Sequence, residues 1–97
     1  MVEDDQKLLN EIILGSDQDF KKLFEKYYPV LKKIKYDYYV VGMDNDDWDQ
    51  EARIVMYKSV QNYQSKYRTS FGSFYRQNLK HRVIDLIRKT NAKKDFQ

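Results

Sequence analysis

The chain has 97 residues, with one Pro, three Gly and no Cys. This length supports one domain with a modest core, and the scarcity of turn residues and of alternating apolar runs disfavours a β architecture. The absence of Cys excludes a disulfide framework and cysteine-based zinc sites. The N-terminus is acidic, unlike a signal peptide, and no apolar run approaches membrane-spanning length, so we expect a cytoplasmic protein without a membrane partner.

Charge is distributed unevenly along the chain. Residues 1–50 contain seven Lys/Arg and twelve Asp/Glu, a net charge of −5, whereas residues 51–97 contain eleven and three, a net charge of +8. A basic half suggests contact with a polyanion such as nucleic acid, and an acidic half suggests a different partner. Charge segregation also arises by chance in short chains, so a merely solvated basic face is the alternative.

Two helices are predicted in the first part of the chain. The first is short, begins at a cap formed by Asp4 or Asp5, and ends at Gly15. Its apolar stripe consists of Leu8, Leu9, Ile12 and Ile13. Ser16 or Asp17 is predicted to cap the second helix.

The second predicted helix carries a packing seam in which apolar residues recur every three or four positions. They are Phe20, Leu23, Phe24, Tyr27, Leu31, Ile34 and Tyr38. Pro29 lies inside this pattern. Because proline lacks an amide hydrogen and its ring clashes with the preceding turn, we expect a kink, or a break followed by a restart.

A third helix is predicted over about residues 46–63, after a turn over residues 42–46, with Asp46 as its N-cap and Asp47 and Asp49 in its first turn. Its core side carries Trp48, Ala52, Val55, Met56, Ser59 and Tyr63. The opposite side carries Asp47, Gln50, Ile54, Tyr57 and Gln61. A solvated face has no need of Ile and Tyr, so we expect this side to contact a partner.

The last predicted helix starts near Ser70, after a connection over residues 64–69, and runs to about Thr90 before a basic tail that we expect to be disordered. Its inward residues are Phe71, Tyr75, Leu79, Val83, Leu86 and Ile87. Its outward residues are Ser73, Phe74, Gln77, Lys80, His81, Ile84 and Arg88. The prediction is therefore an all-α fold of three main helices plus a short N-terminal one. The predicted core comprises Phe20, Leu23, Phe24, Leu31, Ile34, Trp48, Val55, Leu79, Val83 and Leu86.

Signals of enzymatic chemistry are weak. His81 is the sole histidine and has no paired carboxylates at ligand spacing around it, and no phosphate-binding loop or nucleophile motif is present. The acidic residues 44–49 could be mistaken for a calcium loop, but the sixth-position Gly is missing, so helix capping is the better interpretation. We expect no catalytic residue, no metal site and no cofactor.

Four sequence motifs occur in order. The first is FKKLFEKYYPVLKKI, a helical segment with Tyr and Pro. The second is DDWDQEARIVMYKSVQNY, in which an acidic residue, two arbitrary positions and Gln-Glu precede an apolar run that ends in an aromatic residue. Phe71 and Phe74 then open the last helix, and VIDLIRK carries Asp85 and Arg88 as Asp-x-x-Arg. Together they resemble region 2 of the sigma-70 family of RNA polymerase sigma factors, in particular the small alternative, competence-related type. The resemblance covers roughly residues 17–92.

The resemblance implies a polymerase contact. In the family, the helix matched by the second motif docks on a coiled coil of the largest subunit of bacterial core RNA polymerase. By the motif, this role falls here on Asp47, Gln50, Glu51, Arg53 and Tyr57. Ile54 is added from the helical projection alone. The alternative is that Ile54 and Tyr57 merely cover a neighbouring helix.

The resemblance also implies that the last helix and the turn before it read the promoter −10 element and help to open it, with a preference for the single-stranded non-template strand. Opening requires cations for phosphates, flat side chains that stack on bases, and groups that hydrogen-bond to base edges. The candidates are Lys66, Arg68, Arg76, Lys80 and Arg88 for charge, Tyr67, Phe71 and Phe74 for stacking, and Gln77, Asn78 and His81 for base edges. For Phe71, packing and function weigh evenly, whereas Phe74 projects farther from the core.

The sequence departs from the family pattern in two ways. Housekeeping members carry a Trp-Trp pair where Gln77 and Asn78 stand here. Because base–aromatic stacking contributes about 1–3 kcal/mol per base, we expect weaker strand separation and narrower promoter specificity. The family also has a further domain that reads the −35 element, which is absent from residues 1–97, so the chain is either an excerpt or a truncated relative.

The sequence therefore predicts a single domain, residues 1–97, of an alternative sigma factor that directs transcription initiation. An anti-sigma protein is a further partner that the resemblance allows. The rival hypothesis is a helical protein-interaction module without DNA binding.

Overall fold

The computed structural model describes residues 5–64 and 66–95, and side chains as far as residue 90 in the last helix. This part of the chain contains five helices: α1 (Asp5–Ile13), α2 (Asp17–Lys26), α3 (Tyr28–Asp37), α4 (Asn45–Asn62) and α5 (Phe71–Asp95). These residues include no strand, and the predicted all-α class is confirmed. None of the described helices is long and apolar enough to cross a membrane.

The break predicted at Pro29 divides the second predicted helix into α2 and α3. Tyr27, which lies between them, has a non-helical conformation, and Pro29 occupies the first turn of α3. A proline is tolerated there because the first-turn amides have no intrahelical acceptor. The break therefore adds one helix to the four that the sequence predicts.

The cap of α2 agrees with the sequence, whereas the predicted cap of α4 is wrong. Ser16 Oγ accepts a hydrogen bond from the Asp19 amide at 3.1 Å. For α4, Asp44 rather than Asp46 is the N-cap: its carboxylate accepts from the Asp47 amide at 2.9 Å, and the Asp47 carboxylate accepts from the Asp44 amide at 3.1 Å. This reciprocal pair satisfies two amides that would otherwise lack partners, so the helix starts before Asp46. The acidic cluster does cap a helix, as predicted.

Helix α5 begins beside Ser70, as predicted, but extends past the predicted end. Ser70 Oγ accepts from the Ser73 amide at 3.1 Å, and the helix continues to Asp95. The predicted end at Thr90 and the predicted disorder of residues 91–95 are therefore wrong. No Gly or Pro occurs between Thr90 and Asp95, so these residues lack the strongest signals that stop a helix.

The core lies between α4 and α5 and is covered by α1, α2 and α3. Its buried apolar side chains are Leu9, Ile12, Leu23, Phe24, Leu31, Ile34, Val40, Trp48, Ala52, Val55, Met56, Val60, Phe71, Tyr75, Leu79 and Val83. Two residues of the predicted core, Phe20 and Leu86, are only partly buried at its edge, because each lies at the rim of its helix's apolar face. Ile13, predicted on the inner stripe of α1, is 62% exposed.

One carboxylate adds polar contacts between α1 and the end of α2, beside the apolar packing of Leu9 and Ile12. Asp5 accepts hydrogen bonds from Lys26 Nζ at 2.5 Å and from the Tyr27 hydroxyl. Burial, together with this hydrogen bond, raises the pKa of Tyr27 above its ordinary value. The phenol therefore stays protonated and links α1 to the break between α2 and α3. Asp4, the alternative cap, lies outside the described residues.

Candidate functional site

The side of α4 opposite Trp48 is exposed, as the helical projection predicts. Asp47, Gln50 and Gln61 are exposed, and Ile54 and Tyr57 each leave 51% of their surface exposed. Half of each apolar side chain therefore has no packing partner among the described residues. The alternative that Ile54 and Tyr57 merely cover a neighbouring helix therefore accounts for only the buried half of each side chain. We refer to Gln50, Ile54 and Tyr57 as the α4 surface.

A groove of about 480 Å³ lies beside the α4 surface, against the turn between α1 and α2. Ile13, Phe20, Ile54 and Tyr57 contribute to its walls. The rings of Phe20 and Tyr57 meet edge to face, with centroids 6.3 Å apart. Leu14, next to Ile13, is 81% exposed. Sequence reasoning missed this apolar extension. The available signal was the run Ile12-Ile13-Leu14 before Gly15, because three successive apolar residues cannot all lie on one face of a helix.

Three of the predicted polymerase contacts already have partners within the chain. Asp47 belongs to the capping pair, and the Arg53 guanidinium lies 5.2 Å from the centroid of the Phe24 ring. Glu51 accepts from Arg82 Nε at 2.8 Å and from Arg82 Nη2 at 3.3 Å, which raises the pKa of Arg82. These residues therefore stabilise the fold. Arg82, which the sequence analysis did not single out, ties α5 to α4.

Four aromatic rings meet where α4 ends and α5 begins: Tyr63, Tyr67, Phe71 and Phe74, here called the junction cluster. Tyr63 lies at its centre, with ring centroids 6.1 Å from Tyr67, 5.6 Å from Phe71 and 5.5 Å from Phe74. The Tyr63 hydroxyl donates to the Thr69 carbonyl at 2.7 Å and so closes the connection between the helices. Sequence reasoning assigned Tyr63 to the core side and missed this position at the junction.

Phe71 is the buried member of the junction cluster. It is 2% exposed, its ring stacks on Tyr75 at 6.4 Å, and it meets Tyr27 edge to face at 5.9 Å. This burial favours packing, one of the two roles predicted for Phe71, because its helix position points the ring inward. Tyr67 is 40% exposed and Phe74 is partly buried, with their rings 5.8 Å apart. Tyr67 and Phe74 therefore form the accessible aromatic surface.

A groove of about 470 Å³ with mixed polar and apolar walls opens beside Phe74, between α4 and α5, and is called the polar groove here for its hydrogen-bonding groups. Its walls include Ser59, Asn62, Asn78 and His81. Asn78 Nδ2 donates to Ser59 Oγ at 3.0 Å, which orients the amide toward α4. Amide, hydroxyl and imidazole groups both donate and accept hydrogen bonds, as base edges require. Asn78 and His81 were predicted for this role, and Asn62, exposed on α4, adds a further amide, whereas Ser59 is 1% exposed and holds Asn78 in place.

The predicted cations are accessible but do not all lie together. The exposed cations are Lys66 and Arg68 in the connection and Arg76 and Arg88 on α5, whereas Lys80 is partly buried. Gln77, which was predicted to contact a base edge, is also exposed. The ion pairs formed within the described residues use other cations: Lys26, Lys33 and Arg82. At about 1.5 Å per residue, Arg88 lies on the order of 25 Å along α5 from its start. Lys66 and Arg68 flank Tyr67 in the connection and Arg76 lies two residues after Phe74, whereas Arg88 lies far along α5.

Comparison with known proteins identifies the family. Residues 23–93 match the family model for sigma-70 region 2. Two curated proteins, each named RNA polymerase sigma-H factor, from Bacillus subtilis (strain 168) and Bacillus licheniformis, are 24% identical to this chain over 91 residues, 94% of its length. The chain spans 42% and 41% of their lengths. No solved structure matches. Because the family model covers most of the chain, the predicted resemblance is confirmed, and the chain belongs to the sigma-70 region 2 family.

Proposed function

We propose that this chain is the region 2 domain of a sigma factor that acts in transcription initiation, binding bacterial core RNA polymerase and recognising and helping to open the promoter −10 element. The observation that carries the proposal is that α4 and α5 present two accessible surfaces of different chemistry. The α4 surface is apolar with polar neighbours, whereas the junction combines aromatic rings, cations and hydrogen-bonding groups.

The α4 surface is suited to helix-on-helix binding. Ile54 and Tyr57 lie one turn apart and expose 51% of their surface each, with Gln50 one turn before them. Interfaces of this kind bury an apolar centre inside a polar rim. The occupant that we propose is the coiled coil of the largest polymerase subunit. Glu51 and Arg53 act at the edge of this contact, because each is also engaged within the fold.

The junction is suited to an unstacked DNA strand. Tyr67 and Phe74 supply ring surface, Lys66, Arg68 and Arg76 supply positive charge, and the polar groove supplies groups for a base edge. Stacking needs bases that are already exposed, and cations favour any phosphate backbone. The proposed ligand is therefore the single-stranded non-template strand of the −10 element.

Strand opening by this chain alone should be weak. Opening a duplex costs roughly 1.4 kcal/mol per base-pair step, and Gln77 and Asn78 supply no large rings to offset that cost. Polymerase is then needed to complete opening. This reasoning predicts that the isolated chain binds single strands weakly and leaves duplex promoter DNA closed.

Co-purification with bacterial core RNA polymerase tests the first half of the proposal. We expect the tagged chain to retain core polymerase from a purified mixture. A helical interaction module with another partner would not retain it, and that outcome would reject the sigma assignment of function.

A fluorescence titration tests the second half. The chain is titrated against matched single-stranded and duplex promoter fragments at two salt concentrations. We expect tighter binding to the single strand and weakening with salt. Equal or tighter binding to the duplex would mean that α5 reads a closed groove, and the opening-based role of Phe74 would be rejected.

A further inference from the structure

A second aromatic and cationic surface lies on α3, apart from the α4 surface and the junction. Tyr36 is 87% exposed, and Tyr39, just beyond the helix, is 79% exposed, which exceeds the 51% of Tyr57. The lysines Lys32, Lys33 and Lys35 occupy the same helix. We call these five residues the α3 surface. It is a basic segment inside the acidic half of the chain, which the proposed function does not use.

Folding does not explain the two exposed tyrosines. A buried aromatic residue removes some 150–250 Å² from water, whereas Tyr36 and Tyr39 are mostly in solvent and belong neither to the buried core nor to the partly buried residues packed against it. Rings beside cations are what proteins use to bind single-stranded nucleic acid, since the ring stacks on a base while the cation holds a phosphate. Lysine, by contrast, is depleted in protein–protein interfaces.

Tyr36 forms one wall of a shallow pocket of about 340 Å³ whose other walls are Tyr28, Lys32 and Lys35. The opposite ring is held in place: the Tyr28 hydroxyl donates to Asp49 at 2.8 Å, and its ring meets Phe24 edge to face at 5.7 Å. The pocket therefore combines two rings with two ammonium groups.

The two ammonium groups differ in their present contacts. Lys35 Nζ donates to Asn45 Oδ1 at 2.7 Å, which holds the side chain near the pocket. Lys32 is exposed, and none of the ion pairs of the described residues involves it. Lys33 pairs with Asp37 at 3.4 Å, so the one carboxylate of α3 is directed to another lysine. Lys32 is thus available for a phosphate.

We infer that the α3 surface is a second binding site for single-stranded nucleic acid, in which a base lies against Tyr36 and neighbouring phosphates contact Lys32 and Lys35. The site uses none of the residues proposed to contact the −10 element. It therefore does not depend on the proposed function.

Fluorescence polarisation of the chain with labelled oligothymidylate and oligouridylate, about twelve nucleotides long, tests the site. We expect Tyr36→Ala to weaken binding about five-fold or more, the loss of roughly one stacked base, and Tyr36→Phe to retain the affinity because the ring remains. Lys32→Ala should reduce the salt slope by about 0.7, as for one lost phosphate contact on a single strand. Lys22→Ala, an exposed lysine on α2, is the matched control and should keep the slope.

The same titrations in a Phe74→Ala, Lys80→Ala background separate this site from the junction. If the junction does not bind DNA, that double variant binds like the parent chain while the effect of Tyr36→Ala persists. In the Phe74→Ala, Lys80→Ala background, unchanged affinity for both oligonucleotides after Tyr36→Ala and an unchanged slope after Lys32→Ala would overturn the α3 site. Loss of core polymerase binding by Tyr36→Ala, with nucleic-acid affinity intact, would also overturn it and identify a protein contact. Tyr36 is 87% exposed, so circular dichroism should show the same fold for each variant.

Discussion

The α4 surface and the junction cluster both place aromatic rings at the surface, but they differ in what supports those rings. Tyr57 has one ring neighbour, Phe20, and is 51% exposed. Phe74 has two ring neighbours, Tyr63 and Tyr67, and is linked through Tyr63 to the buried Phe71. A ring with few packing neighbours contributes little to the stability of the fold, so its removal should mainly change the binding of a partner. Removal of a ring that packs on several others should change both the stability of the fold and the binding of a partner.

The largest effect should come from the buried end of the junction cluster. Phe71→Ala removes a ring packed on Tyr27, Tyr63 and Tyr75, and we expect it to lower the free energy of unfolding by about 3–5 kcal/mol. Phe74→Ala should lower it by about 1–2 kcal/mol, because that ring is partly exposed. Urea denaturation measures both. Equal losses would mean that the cluster is buried uniformly, and the division between packing and DNA contact would be wrong.

The α4 surface should behave in the opposite way. Tyr57→Ala and Gln50→Ala should each weaken binding to core polymerase by about 1–2 kcal/mol, as expected for a central contact residue. Their free energy of unfolding should change by about 1 kcal/mol or less, since both residues are exposed. Lys22→Ala, exposed on α2 and outside the α4 surface, is the control and should change neither quantity. Lower thermal stability with unchanged polymerase binding would show that these residues serve the fold.

Gly72, next to Phe71 in α5, tests how tightly the buried side of the junction cluster is packed. A Cβ at this position would lie 2.7 Å from Cε1 of Tyr27, whose ring is held by Asp5, Phe71 and Tyr75. Helix propensity favours Ala over Gly by about 1 kcal/mol, but overpacking costs about 1–3 kcal/mol. We expect Gly72→Ala to lower the free energy of unfolding by about 1 kcal/mol, measured against Gln77→Ala. A stabilised variant would mean that the Tyr27 ring moves aside easily.

The smallest effect should be electrostatic. Lys80→Ala should reduce the salt slope of single-strand binding by about 0.7 to 1, as for one lost phosphate contact, without changing stability. Phe74→Ala should weaken the binding and leave the slope unchanged, since a ring releases no counterions. Titrations at several salt concentrations measure both variants. Identical slopes for Lys80→Ala and the parent chain would remove Lys80 from the interface.

The sequence by itself determined the helical class, the break at Pro29 and the two faces of α4 and α5. These features depend on local chemistry: periodicity places side chains on a face, and proline removes one amide. For the same reason the outward positions of Ile54 and Tyr57 could be predicted. The family motifs added the candidate partners, which periodicity alone does not identify.

Tertiary structure decided the features that depend on residues far apart in the chain. It buried Phe71 against Tyr27 and paired Glu51 with Arg82. Each of these contacts joins different helices, and helical periodicity specifies direction within one helix without specifying what lies opposite. Which residues share one face of a helix is thus determined by the local sequence, whereas the burial of that face depends on the neighbouring helices that pack against it.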